Sequence, residues 1–179
     1  MANTIQFGRR VLNIIPDGST NFDIQTCQSN RLPLNTVVGT FTVGETVTQA
    51  TSGATGIVGA WDSQNRVLTL NQATGTFDIT HVVTGGSSAA HGIPSEVGFA
   101  FPNGLRLSTV DFKPSQATDT LVIRENSATG TFIYARGDAT GGGIHKTTGG
   151  RSLRVKPYIK ASEQVWGTPA NVIISLEYD

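Results

Sequence analysis

The chain has 179 residues, no net charge and only 15% charged residues, which excludes the basic field that a general nucleic-acid or membrane-surface binder needs. Its one cysteine, Cys27, excludes an intramolecular disulfide and reads as a small buried or half-buried filler; a chain this long buries roughly 70% of its unfolded surface without such staples. No stretch approaches ~18 consecutive apolar residues, and residues 1–10 (MANTIQFGRR) lack an apolar signal core, so neither a spanning helix nor a secretory signal is expected.

Helix formers never line up at helical spacing for more than a turn, while Thr and Gly abound, so the chain reads as all-β. Residues 10–15 (RVLNII) are a strand stopped by Pro16-Asp17-Gly18. Residues 22–27 (FDIQTC) alternate as a half-buried strand. Residues 30–35, with Pro33 inside, read as an edge or connector because proline cannot donate to a ladder.

A repeat follows. Residues 39–57 (GTFTVGETVTQATSGATGI) overlie residues 75–93 (GTFDITHVVTGGSSAAHGI) at a shift of 36 with no gap. Gly39/Gly75, Phe41/Phe77, Val47/Val83, Thr48/Thr84, Ser52/Ser88, Ala54/Ala90 and Gly56/Gly92 are among the identical pairs. In the first arm, 39–43 reads as a short strand, Gly44-Glu45 as a turn, 52–56 as a small-residue corner and 57–61 as a strand. Residues 62–65 are a polar hairpin loop before the strand 66–71 (RVLTLN). Phe41, Val43, Val47, Ile57, Trp61, Leu68, Leu70, Phe77, Ile79 and Val83 are enough apolar residues for a separate small core. The expectation is a β-barrel or β-roll module at 37–93, inserted into a larger domain formed by 1–36 and 94–179, with linkers at 34–38 and 93–95.

Beyond the module the strands lengthen. Residues 97–101 precede a Pro102-Asn103-Gly104 turn. Residues 105–112 shift apolar phase near Ser108-Thr109, as a β-bulge does. Residues 119–125 and 131–136 form a hairpin. Gly141–Gly143 and Gly149-Gly150 bracket a connection, whose GGGIH run lacks the ending and following helix of a phosphate loop. In 153–160 (LRVKPYIK), Leu153, Val155, Pro157 and Ile159 share one face. Residues 171–178 (NVIISLEY) are the cleanest strand, with Val172, Ile174, Leu176 and Tyr178 together. This spacing predicts an antiparallel β-sandwich, jelly-roll or Ig-like, in which strands before residue 28 join those after 97.

No catalytic constellation emerges, and no enzyme activity, metal or cofactor is expected. His81, His91 and His145 have no ligand spacing, and His81 and His91 occupy positions where the first arm has Glu45 and Thr55, which reads as solvent-facing. Asp111 and Glu125 are a conceivable carboxylate pair on neighbouring strands, or two solvated strand ends. Trp61, Trp166, Tyr134 and Tyr158 are the aromatics a sugar platform would need, and core packing is the other use of each tryptophan. Arg154, Lys156, Tyr158 and Lys160 form the one concentrated basic strip. It is an exposed edge strand guarded by charge, a docking face for an acidic neighbour, or both.

The 39–57 module resembles small Thr/Gly-rich β-modules that recur in tailed-bacteriophage structural proteins. Residues 110–138 (VDFKPSQATDTLVIRENSATGTFIYARGD), 155–162 (VKPYIKAS) and 167–178 (GTPANVIISLEY) resemble small virion proteins encoded among phage head and neck genes. The resemblance implies a non-enzymatic virion component, made in the host bacterial cytoplasm, present in many copies and closed as a homo-oligomer (a trimer or a ring). A capsid decoration (cement) protein on the major capsid protein shell is the leading expectation. A head–tail connector, neck or tail component binding neighbouring virion subunits is the alternative, and a carbohydrate-binding virion module a further one.

Overall fold

The computed structural model describes residues 3–96, 98–137, 144–147 and 154–178. In chain order its strands are β1 (Thr4–Phe7), β2 (Val11–Ile15), β3 (Phe22–Asp23), β4 (Arg31–Val38), β5 (Thr46–Gln49), β6 (Ala54–Asp62), β7 (Val67–Thr74) and β8 (Val83–Gly85). They continue as β9 (His91–Pro94), β10 (Leu105–Lys113), β11 (Thr120–Glu125), β12 (Phe132–Gly137), β13 (Ile144–Thr147), β14 (Arg154–Val155), β15 (Pro157–Ile159) and β16 (Ile173–Tyr178). Among the described residues, helix is confined to the single 3-10 turns Ile24–Thr26, Ala161–Glu163 and Pro169–Asn171. The protein is all-β with antiparallel sheets, and it divides into two compact units, Met1–Cys27 with Phe101–Asp179, and Gln28–Ala100.

In the first unit, β13, β10, β16, β2 and β1 make one sheet, with β14 also on β10, and β12, β11, β15 and β3 make another. Both contribute to one core: Leu12, Phe112 and Leu176 from the first sheet join Leu121, Ile123 and Ile159 from the second. The alternation running from Val172 into β16 places Val172, Ile174 and Leu176 at 0% exposure, and each such side chain contributes roughly 1.5–3 kcal/mol by leaving water. β16 is bonded to β10 on one side and β2 on the other, which joins the N-terminal strands to the later ones. The phase shift in 105–112 is a register break between Leu107 and Thr109 in the β10–β16 ladder. Cys27 is buried in this core, and burial pushes its thiol up to about 12.

Several local expectations fail for physical reasons. The strand expected at 22–27 stops after Asp23, whose carboxylate accepts from Gln25 N at 2.9 Å while Thr26 Oγ1 donates to Asp23 O at 3.0 Å; these local bonds outcompete a ladder. Residues 98–101 form no strand beyond one bridge between Phe99 and Gln28, and Val97 lies outside the described residues. In the connection after β12, Ile144–Thr147 is a strand on β10; Gly141–Gly143, Gly149-Gly150, Arg151 and Leu153 lie outside the described residues.

The second unit is a closed six-stranded barrel in the order β4, β9, β8, β5, β6, β7 and back to β4. Its core gathers Leu32, Phe41, Val47, Leu68, Phe77 and Val83 among others. The repeat of 36 is legible in the hydrogen-bond register. Thr48 lies opposite Thr84 in β5–β8, and Leu32 opposite Leu68 in β4–β7, each residue facing its own repeat partner. The pairs Leu34↔Pro94 and Asn35↔Ile93 recur as Leu70↔Val58 and Asn71↔Ile57. An internal pseudo-twofold axis therefore passes between β5 and β8 and between β4 and β7, exchanging the two ends of the barrel. Backbone conformation repeats too: φ is +49° at both Thr36 and Gln72.

The barrel corrects four expectations. The segment 30–35 is no edge or connector but an interior strand, β4; Pro33 faces Ser95, just past the end of β9, and accepts from its backbone N–H at 2.8 Å. The expected linkers at 34–38 and 93–95 belong to β4 and β9, paired to each other, with Ser95 directly after β9. Residues 39–43 form no strand, because Gly39 at φ +81° leaves extended geometry and Val43-Gly44 makes a turn. That turn aims Val43, and its partner Ile79, outward at 65% and 55% exposure, so neither belongs to the core.

Candidate interaction surface

The basic strip divides into three settings. β14 pairs with β10 in the first sheet, and β15 lies between β11 and β3 in the second, so the segment crosses from sheet to sheet at Lys156. The single edge strand expected at 153–160 is therefore two short pieces: β14, paired on one side only, to β10, and β15, interior to the second sheet. Arg154 is exposed and directly opposite Arg106, a like-charge pair that is locally unfavourable. Lys156 is half-buried at the crossover, and its backbone N–H donates to the Glu125 carboxylate at 3.1 Å. Tyr158 and Lys160 are half-buried on the outer face of the second sheet, since Pro157 and Ile159 fill the inner face.

That outer face carries a row the sequence reading did not assemble: Phe132, Arg124, Tyr158 and Asp23, each opposite the next across β12, β11, β15 and β3. Tyr134 is buried, and regular alternation would bury Phe132 as well. The register break at Ile123/Arg124 in the β11–β12 ladder reverses the phase, leaving Phe132 at 62% exposure. Arg124 Cζ stands 4.2 Å from the centre of the Phe132 ring. The same guanidinium is held edge-on by Glu163, with Nε to Oε2 at 2.7 Å and Nη2 to Oε1 at 3.0 Å, and it also donates to Gly130 O at 3.0 Å. The Glu163 hydrogen bonds raise the Arg124 pKa and lower that of Glu163. Lys160 Nζ lies 3.8 Å from the same carboxylate. Gln164 locks the flanking segment by accepting from Val122 N at 2.8 Å and donating to Val122 O at 3.0 Å. The face thus presents an exposed ring on a guanidinium that is already fixed.

Other sequence candidates do not converge. Asp111 is on β10 and Glu125 on β11, strands of different sheets, so the expected neighbours are not neighbours. Trp166 is half-buried and donates from Nε1 to Thr120 O at 2.9 Å; Trp61 packs edge-on to Phe41 at 5.1 Å between centroids. His81 pairs with Asp78 at 2.8 Å, and this bond with those from the Thr80 and His81 backbone holds the Asp78 carboxyl at about 2. The first-arm counterpart of His81 is not solvent-facing as expected: Glu45 is 7% exposed. Among the described residues no group of three or more His, Cys, Asp or Glu could hold a metal ion, and no helix is long and apolar enough to cross a membrane.

Compared with known proteins, the chain matches no family model, no curated protein and no solved structure.

Proposed function

We propose that the protein is a non-enzymatic structural component of a tailed-bacteriophage virion, and within that class a capsid decoration (cement) protein that binds the assembled major-capsid-protein shell in many copies. The observation that carries the reading is the outward row on the second sheet. An exposed aromatic beside an immobilised arginine is the residue pairing enriched at the centres of protein interfaces. The Arg124 guanidinium is held by Glu163 and Gly130 before contact, which lowers the entropy lost on docking. The opposed Arg106 and Arg154 supply a second element, since an acidic partner surface relieves their repulsion. We read the first unit as the anchoring β-sandwich, and the barrel as the part that covers a neighbour or faces solvent. Many weak identical contacts on a symmetric shell give avidity without a deep pocket.

The test is to add purified protein to purified, undecorated heads and count bound copies by quantitative gel densitometry, with Phe132→Ala/Tyr158→Ala in parallel. Copies matching the capsomer count, and at least about tenfold weaker binding by the double variant, are expected. A dozen-fold ring at one vertex would replace decoration with a neck or connector role. Undiminished binding by the double variant would remove this face from the proposal.

A further inference from the structure

Each end of the barrel encloses one buried polar side chain, in a pocket built from the same two pieces of the repeat. At the first end the loop at 42–45 meets the turn at 85–88, and the Glu45 carboxylate fills the space. Its Oε1 accepts from Thr42 N and Ser88 Oγ, both at 2.7 Å; its Oε2 accepts from Ser87 N at 3.0 Å, Ser87 Oγ at 3.1 Å and Ser88 N at 2.9 Å. At the other end the repeat-related loop at 78–81 meets the repeat-related turn at 49–52. There the Gln49 carboxamide fills the space: Oε1 accepts from Asp78 N at 2.8 Å and Ser52 Oγ at 2.7 Å, and Nε2 donates to Asp78 O at 2.9 Å and His81 O at 2.8 Å.

The donors at the two ends correspond, Thr42 N with Asp78 N and Ser88 Oγ with Ser52 Oγ. The plugs do not. One comes from the loop position, where Glu45 has His81 as its partner; the other comes from the strand position, where Gln49 has Gly85. His81 turns away to Asp78 at 2.8 Å. Gly85 has no room for a side chain, because a Cβ there would lie 2.7 Å from both Glu45 oxygens.

We infer that positions 45 with 85, and 81 with 49, are a pairing code between the arms. Each pocket takes a single plug, Glu45 over Gly85 at one end and Gln49 beside His81 at the other. The first arm therefore accepts the second arm and rejects another first arm. Two first arms brought together from two copies of the chain would force a carboxylate and a carboxamide into each one-plug pocket. Two second arms would leave both pockets empty, with a backbone N–H and a serine hydroxyl unpaired in each. Copies that associate through the barrel must do so by reciprocal exchange, the first arm of one chain with the second arm of the other.

The test exchanges the code within the full chain, using Trp166→Phe as the parent so that Trp61 fluorescence reports barrel unfolding in urea. Glu45→His empties the first pocket and Gly85→Gln overfills it. Each lowers the folding equilibrium constant by about tenfold or more. Glu45→His/Gly85→Gln moves the plug to the strand position, as at the opposite end, and returns to within about threefold of the parent. Gln49→Gly, His81→Glu and their combination behave the same way at the second pocket. A folded double variant built from two singles that fail to fold also supports the code. Losses that merely multiply in either double variant, or a double variant that does not fold, overturn it.

Discussion

Replacing Asp119 by asparagine tests how the first unit fixes its longest irregular connection. Asp119 is 0% exposed. Its Oδ2 accepts from Ser115 N at 2.6 Å, Ser115 Oγ at 2.7 Å and Gln116 N at 3.2 Å, and its Oδ1 from Gly167 N at 2.8 Å. One carboxylate thus closes the turn before β11 and ties it to the segment before β16. Burial pushes its pKa up, but the bonds from Ser115, Gly167 and Gln116 outweigh that and hold it below the ordinary aspartate value. Asparagine keeps the shape but turns an N–H₂ toward one set of donors. A charge-assisted bond contributes roughly 1.5–3 kcal/mol and an unpaired buried donor costs about 1–3 kcal/mol, so Asp119→Asn should destabilise the unit by about 3 kcal/mol at pH 7. A carboxyl whose folded pKa lies below its unfolded value of about 3.9 stabilises the fold above that pH, and the stabilisation disappears as pH falls through the folded pKa. The gap between parent and variant should therefore narrow from pH 7 to pH 3 and below. Urea unfolding followed by Trp166 fluorescence in a Trp61→Phe parent measures it, since Trp166 adjoins the Gly167 donor. A gap under about 0.5 kcal/mol at pH 7, within the range of an ordinary surface change, would refute the reasoning; so would a gap that widens on acidification.

Two further outcomes follow from the packing. Gly104 has φ +75°, and a Cβ there would strike Val155 O, so Gly104→Ala should lower the first unit's stability by about 2 kcal/mol or more in the same urea assay. In the barrel, Phe77 is 2% exposed and its repeat neighbour Ile79 is 55% exposed. Phe77→Ala should cost about 3–5 kcal/mol in thermal or urea unfolding, while Ile79→Thr should stay within about 0.5 kcal/mol; equal losses would restore Ile79 to the core.

Period-two patterning made much of the fold legible. β16 was readable because Val172, Ile174 and Leu176 alternate without interruption, and the β11–β12 hairpin because two such runs flank a short polar loop. The bulge in β10 was readable because a phase shift of apolar residues has one simple geometric cause in a strand. The repeat was visible over 39–57 and 75–93, yet the structural unit starts earlier, at β4 and β7. There Leu32/Leu68, Leu34/Leu70 and Asn35/Asn71 match amid unlike neighbours, Pro33 against Thr69 and Arg31 against Val67, which obscured the alignment.

The candidate surface was half legible. Tyr158 and Lys160 face outward as the alternation requires, but Arg124, Phe132 and Glu163 are remote in sequence, and strand order brings them to that face. Nothing local marks Phe132 as exposed; the bulge opposite Ile123 and Arg124 does. Glu45 and Gln49 look like ordinary polar positions in a variable repeat. Closure of the barrel puts Glu45 against a turn, and Gln49 against a loop, of the opposite arm, where a buried polar group must find partners. Local patterning acts through the next few residues, so the sequence by itself determined the all-β character, the strands with clean alternation and the existence of two similar arms. Which remote strands lie side by side, and hence which polar side chains are buried together, depends on contacts far beyond that range, such as Gln49 with His81, Arg124 with Tyr158 and Glu45 with Ser88, and only the tertiary structure decided it.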